Sequence, residues 1–245
     1  MKIDIMTLFP QMFYETLGSS IIGNAVENGI VDIEYTDIRD FSNNKHNKVD
    51  DYTYGGGKGM LMKAEPVYEA VMSRKTDDSR VIYLSPKGKV FSQEMANELS
   101  KEKHLILVCG HYEGLDERAV ELCIDDEVSI GDYVLTGGEL GAMVIADAVI
   151  RLLPGVLSDE DSFKIESHYD GLLEYPQYTR PREYKGLEVP EVLLSGNHKL
   201  IDEWRIKESL RKTYLNRPDL LENREFSKSE EKILKEIIEE EKTKK

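Results

Sequence analysis

The chain has 245 residues, 40% of them apolar, and a net charge of −15. That length suits one large domain or two ordinary ones, with enough apolar residues for a substantial core. No apolar run approaches the roughly 20 residues that a membrane span needs, and Cys109 and Cys123 show neither metal spacing nor a disulfide framework.

The opening Met1-Lys2-Ile3-Asp4 has a strand pattern and lacks the long apolar core of a secretory signal, so a cytoplasmic protein is expected. Lys2 to Phe9 reads as a first strand, ended by Pro10. Gln11 to Asn28 has helical spacing at Met12, Leu17, Ile21, Ile22 and Val26, with Gly29 at the C-terminus. Val31 to Ile38 alternates as a strand. Arg39 to Gly59, rich in Asp, Asn, Lys and Gly, reads as a long irregular loop, and loops of that length are usually functional or disordered. Its glycines at 55, 56, 57 and 59 do not form a P-loop, because no Ser or Thr follows Lys58. Nor do they form a dinucleotide fingerprint, since Met60 stands where a third glycine is needed.

A helix follows from near Pro66 to about Lys75, then a strand from Arg80 to Leu84 that ends at Ser85-Pro86-Lys87-Gly88. Ser92 caps a helix to about Lys101. Leu105 to Val108 is a buried-type strand running into Gly110. Gly114 to Cys123 reads as a short helix and Glu127 to Ile130 as another strand. Leu140 to Leu153 is apolar on nearly every side, which predicts burial in the core or in a subunit interface. Strands that are near-continuous apolar runs, alternating with helices, imply an α/β fold with a mostly parallel sheet covered on both faces. In such sheets ligands sit at the strand ends, and the glycines fall where these apolar runs stop.

From about residue 157 the texture changes. Residues 158–169 are polar and acidic and read as an interdomain linker. The rest, residues 170–245, reads as a small helical domain, with a helix from about Leu200 to Leu215 and a last one from Glu231 to Lys242 behind the capping box of Ser227 and Glu230. Residues 1–170 hold 16 Lys and Arg against 31 Asp and Glu, whereas residues 171–245 hold 16 of each. Net charge alone argues against a nucleic-acid partner. Lys199 to Arg217 is locally basic, six residues against three, but on charge alone an ordinary solvated helix face is the better explanation.

Several long blocks carry a resemblance in their order along the chain. They are IDIMTLFPQMF, VDDYTYGGGKGMLM, CGHYEGLDERA, SIGDYVLTGGELGAMVIADAV, DGLLEYPQYTRP and VLLSGNH. Together they resemble the bacterial tRNA (guanine-N1)-methyltransferases, the TrmD family of the knotted SPOUT class. The resemblance implies a deep trefoil knot over Leu84 to about Arg151 within a cofactor-binding domain of residues 1–157. It also implies a tRNA-binding role for residues 170–245 and a linker at 158–169 that orders over substrate. The cofactor implied is S-adenosylmethionine. The substrate is N1 of the guanine immediately 3′ of the tRNA anticodon. The resemblance further implies a homodimer whose active site spans the interface. A magnesium ion is associated with activity in the family, although the sequence shows no dedicated oxygen cage.

Carried over residue by residue, the resemblance makes Asp170 the general base and Arg151 the cation facing the guanine O6. It assigns cofactor contacts to Tyr83, Leu84, Ser85 and Pro86, to Gly110, Tyr112 and Glu113, and to Ile130, Gly131, Asp132, Tyr133, Val134, Leu135, Gly137 and Gly138. Without it, Asp170 is a turn residue before Gly171 and Arg151 a cation at a helix C-terminus. Two positions depart from the family: His111 stands where Arg is common, and Lys58 where Pro is often found. A related knotted enzyme acting on another RNA base or ribose, and an RNA-binding protein without catalysis, are the alternatives; DGLLEYPQYTRP and the glycine loop favour the guanine-N1 class.

Overall fold

A computed structural model describes residues 1–157, 166–222 and 224–243. The chain divides into two compact units, Met1–Glu160 and Asp161–Lys245. Residues 158–165 of the expected linker, and the last two residues of the chain, lie outside the described residues.

The first unit is built on five strands, β1 (Lys2–Thr7), β2 (Asp32–Asp37), β5 (Ser79–Val90), β6 (His104–Cys109) and β7 (Asp126–Ser129), in the order β2-β1-β6-β5-β7. Every pairing is parallel. Side-chain alternation sorts the apolar runs onto two faces. Ile3, Ile5, Ile82, Leu84, Leu105, Leu107 and Cys109 face one core. They pack there on α1 (Tyr14–Leu17), α2 (Ser20–Glu27), α4 (Gln93–Leu99) and α6 (Glu139–Ile150). Met6, Val81, Tyr83, Ile106 and Val108 face the other core, covered by α3 (Ala64–Met72) and α5 (Glu117–Cys123). Each fully buried aliphatic contributes roughly 1.5–3 kcal/mol of burial free energy. The parallel sheet covered on both faces is therefore what the continuous apolar strands produce.

Several boundaries differ from the sequence reading. The helix expected over Gln11 to Asn28 is broken into a 3-10 turn (Pro10–Met12), α1 and α2. At the break Ser20 takes φ +55°, and a Cβ on Gly18 would lie 2.3 Å from the Tyr14 carbonyl oxygen. The kink lets Leu17, Ile22 and Ala25 reach the same core. Arg39 to Gly59 is not wholly irregular, because β3 (Asp50–Tyr52) pairs antiparallel with β4 (Met60–Met62). The helix expected from Gly114 starts only at Glu117: Gly114 has φ +110°, and Asp116 caps the first turn by accepting from the Arg118 amide at 3.0 Å. β5 runs on to Val90 through a register shift between Leu84 and Lys89. The apolar helix α6 is buried except for a stripe carrying Leu140 and Val144, which are 51% and 47% exposed.

Among its described residues the second unit holds a short hairpin, β8 (Glu183–Tyr184) and β9 (Leu187–Glu188), which the sequence did not predict, and four helices. These are α7 (Glu191–Leu194), α8 (His198–Asn216), α9 (Asp219–Glu222) and α10 (Lys228–Thr243). Ser227 and Glu230 make the expected reciprocal cap of α10, with bonds of 3.3 and 2.8 Å. The core is small: Leu172, Leu210 and Ile237, flanked by Tyr214, Leu221, Phe226 and Ile233.

Candidate functional site

The ends of β5, β6 and β7 converge on a cavity of about 240 Å³. Tyr83, Leu84, Ser85 and Pro86 line it from β5, and Gly110, Tyr112 and Glu113 from the loop after β6. Ile130, Gly131, Tyr133, Val134, Leu135, Gly137 and Gly138 line it from the loop after β7. Asp132 does not. The Tyr133 amide donates to the Gly131 carbonyl at 2.9 Å, a three-residue turn that leaves Asp132 exposed at its apex.

Backbone meets backbone here because side chains are absent. The Gly138 amide donates to the Gly110 carbonyl at 2.9 Å, and a Cβ on Gly138 would lie 2.8 Å from the Cys109 Cα. Tyr112 holds φ +59°, an unusual value for a bulky residue, and such backbone strain concentrates at functional sites. Burial pushes the Tyr83 phenol above its ordinary range, so it stays a donor. Burial, helped by the charge of Glu139, pushes the Cys109 thiol well up, so this cysteine is inert. Apolar walls from Leu84, Ile130 and Leu135 beside bare main chain suit a flat heterocycle with apolar faces and a polar edge.

The cavity is also lined by His111, the position that departs from the family, and by residues that the sequence reading did not select: Lys87, Gly114, Val128, Ser129, Thr136 and Gly141. Ser129 could have been found from its position at a strand end, and its hydroxyl donates to the Gly131 carbonyl at 2.9 Å. The glycine-rich loop reaches the rim. The Glu113 amide donates to the Met60 carbonyl at 2.9 Å, and a Cβ on Gly59 would collide with the Glu113 carboxylate at 2.3 Å. Tyr54, in the same loop, is completely exposed.

Neither of the two expected catalytic residues is among those lining this cavity. Arg151 follows the last turn of α6, its amide donating to the Asp147 carbonyl at 3.1 Å. The cavity abuts the other end of that helix, at Gly138 and Gly141. Twelve residues of α-helix separate the two ends by roughly 18 Å. Asp170 belongs to the second unit, where its Oδ1 accepts from the Leu172 amide at 3.1 Å and its carbonyl from Arg224 Nε at 3.2 Å. It borders a cavity there with Glu166, Tyr175, Asp202, Arg205 and Glu230. The basic stretch after Lys199 is largely neutralised within its own unit: Arg205 pairs with Asp202, Lys207 with Glu240, and Arg217 with Asp219. Arg205 also lies over the Tyr175 ring, at 5.1 Å from its centroid. Among the described residues no group of three or more His, Cys, Asp or Glu could hold a metal ion. No helix among them is long and apolar enough to cross a membrane.

A family profile described as tRNA (Guanine-1)-methyltransferase TrmD matches residues 1–223. A protein of Ruminiclostridium cellulolyticum named tRNA (guanine-N(1)-)-methyltransferase is 59% identical over 223 residues, covering 90% of this chain and 96% of the relative. One of the same name from Carboxydothermus hydrogenoformans is 59% identical, covering 96% of this chain and 92% of its own length. Another, from Fusobacterium nucleatum, is 57% identical, covering 98% of this chain and all of its own length.

Proposed function

Since this chain belongs to the tRNA (guanine-1)-methyltransferase family, we propose that it methylates N1 of the tRNA guanine immediately 3′ of the anticodon, drawing the methyl group from S-adenosylmethionine in the cavity at the ends of β5, β6 and β7. The observation that carries this reading is that three segments far apart in sequence bring bare main chain and apolar walls to one slot. Gly110, Tyr112, Glu113, Gly137 and Gly138 hold the ribose and the adenine edge, while Leu84, Ile130 and Leu135 flank the ring and keep water away. When bound, S-adenosylmethionine supplies a methyl group already activated on a sulfonium, so no metal is needed to make an electrophile.

Guanine N1 carries a proton at neutral pH and is a poor nucleophile until that proton leaves. Asp170 accepts it, and partial dehydration in a closed site strengthens this weak base. Arg151 faces O6, where negative charge grows. The length of α6 keeps Arg151 of one protomer away from that protomer's own cofactor slot. We therefore assign the working site to a homodimer, in which one protomer's slot meets Asp170 and Arg151 of the partner subunit. The exposed Leu140 and Val144 on α6 supply apolar surface for that association. Residues 170–245 are assigned to tRNA binding, the threading of residues 84–151 to a trefoil knot, and the protein to the cytoplasm, where its substrate is.

The test is transfer of labelled methyl to tRNA transcripts carrying G or A after the anticodon, with mass mapping of the product. Modification of the G transcript at that nucleotide supports the reading. Equal labelling of both transcripts refutes the position, and cofactor binding without any transfer leaves an RNA-binding protein. Sedimentation decides the oligomeric state, and a purely monomeric active enzyme refutes the shared site.

A further inference from the structure

The wall between the loops after β6 and β7 contains a buried carboxylate that the binding roles above do not use. Glu139 opens α6 and is 2% exposed. Its Oε1 accepts from the Thr7 hydroxyl at 2.7 Å, and its Oε2 lies 2.8 Å from His111 Nε2. An ionised carboxylate only accepts, so Nε2 carries the hydrogen. Thr7 is itself fully buried, and its hydroxyl oxygen accepts from the Phe9 amide at 2.9 Å. The positive end of α6 adds to the stabilisation of this charge.

The three residues join three elements: the end of β1, the loop after β6 and the first turn of α6. Their packing is close. A Cβ on Gly137 would lie 2.3 Å from His111 Nε2 and 2.5 Å from Glu139 Oε2, so a side chain there would have to displace this pair. The Phe9 ring lies 4.9 Å from the imidazole, and the His111 amide donates to Met62 Sδ at 3.3 Å. On the other side of this tie, His111 lines the cavity.

We propose that His111 is a positioning residue for the cofactor slot: its Nε2–H bond to Glu139, seconded by Thr7, sets the spacing between the loop of residues 110–114 and the loop of residues 131–138. The inference rests on reading that slot as the cofactor site. Deleting the donor leaves Glu139 buried and one partner short. The relief open to it is water, and water enters only if the two loops part.

Calorimetric titration of S-adenosylmethionine into the full-length chain tests this. His111→Phe keeps an aromatic ring beside Phe9 and removes the donor; it weakens binding by about 10- to 100-fold, the value of a hydrogen bond to a charged group. His111→Gln places an amide N–H near the position of Nε2 and stays within about threefold of the unmutated chain. Thr7→Val deletes the other donor to the same carboxylate and weakens binding by about tenfold, which serves if His111→Phe does not fold. Unchanged affinity in His111→Phe, or in Thr7→Val where the former does not fold, overturns the proposal. A His111→Gln chain that binds as poorly as His111→Phe overturns it too. An unmutated chain that binds no S-adenosylmethionine removes the cofactor reading itself, and is told apart from these outcomes because it needs no variant.

Discussion

The two units of this chain hold themselves together by different means. The first has two extended apolar cores on either face of a five-stranded parallel sheet, and buried polar contacts within it include Asp4 Oδ2 with His104 Nε2 at 2.7 Å. The second has, among its described residues, a core of three buried residues, and α8 is clamped to α10 by ions: Arg211 meets Glu208, Glu240 and Glu241 at 3.2, 2.7 and 2.8 Å. The division teaches where precision is kept. A slot that must fit a flat ligand is set into a sheet that cannot shift, and the unit assigned to RNA rests on contacts that solvent, salt and pH can reach.

The sharpest break in the comparison is functional. If the first unit binds and the second supplies the base, Asp170→Asn lowers methyl transfer by about 10³-fold, the usual worth of a general base. The same variant keeps S-adenosylmethionine affinity near that of the unmutated chain. Single-turnover transfer and calorimetry on one preparation check both halves. Substantial turnover in Asp170→Asn removes the role assigned to it.

Core truncation should separate the units by stability. Leu107 is fully buried, with Ile5 and Ile82 as its neighbours across the sheet. Leu107→Ala leaves a cavity in a rigid layer and costs about 3–5 kcal/mol. Leu210→Ala, in the small core of α8 and α10, costs nearer to about 2 kcal/mol because fewer neighbours are fixed around it. Urea titration followed by circular dichroism measures each. Equal losses would mean that the second unit is packed as tightly as the first.

The same contrast governs what the sequence revealed. The strands of the first unit are legible because burial on both faces demands continuous apolar runs, and the slot because glycines punctuate their ends. The hairpin of β3 and β4 escaped notice, since strands of only three residues, one inside a polar loop and one just after it, leave no periodicity. So did the His111 and Glu139 pair, 28 residues apart and joined only by the fold. Asp132 was selected by its neighbours in the motif, but a tight turn puts it outside the cavity. In the second unit the basic run over Lys199 to Arg217 gave its charge but not its use. The carboxylates that neutralise Arg211 sit on α8 and on α10, the latter some thirty residues later.

Burial pulls the Arg211 guanidinium down, and its bonds to Glu240, Glu241 and Glu208 outweigh that, holding it charged. Arg211→Leu leaves the carboxylates without that partner and costs about 1–2 kcal/mol, read as a lower urea midpoint for the second unit. The smallest effect is the pH dependence of the same clamp. Hydrogen bonds from Lys207, then Arg211, depress the Glu240 carboxyl from its usual 4.5 to about 2 in the folded chain. A carboxyl depressed on folding contributes stability that is complete above its unfolded value and is lost as pH falls through its folded value. The clamp therefore stays constant above about pH 4.5 and weakens between there and about pH 2. The Glu240 side chain is partly exposed, so salt screens the effect and a high-salt buffer flattens the limb. Thermal melts of the unmutated chain and Glu240→Gln across that window should converge at the acid end and diverge above it. Melts that stay parallel throughout would show that the ions between α8 and α10 decorate the packing of Leu210 and Ile237 and do not hold it.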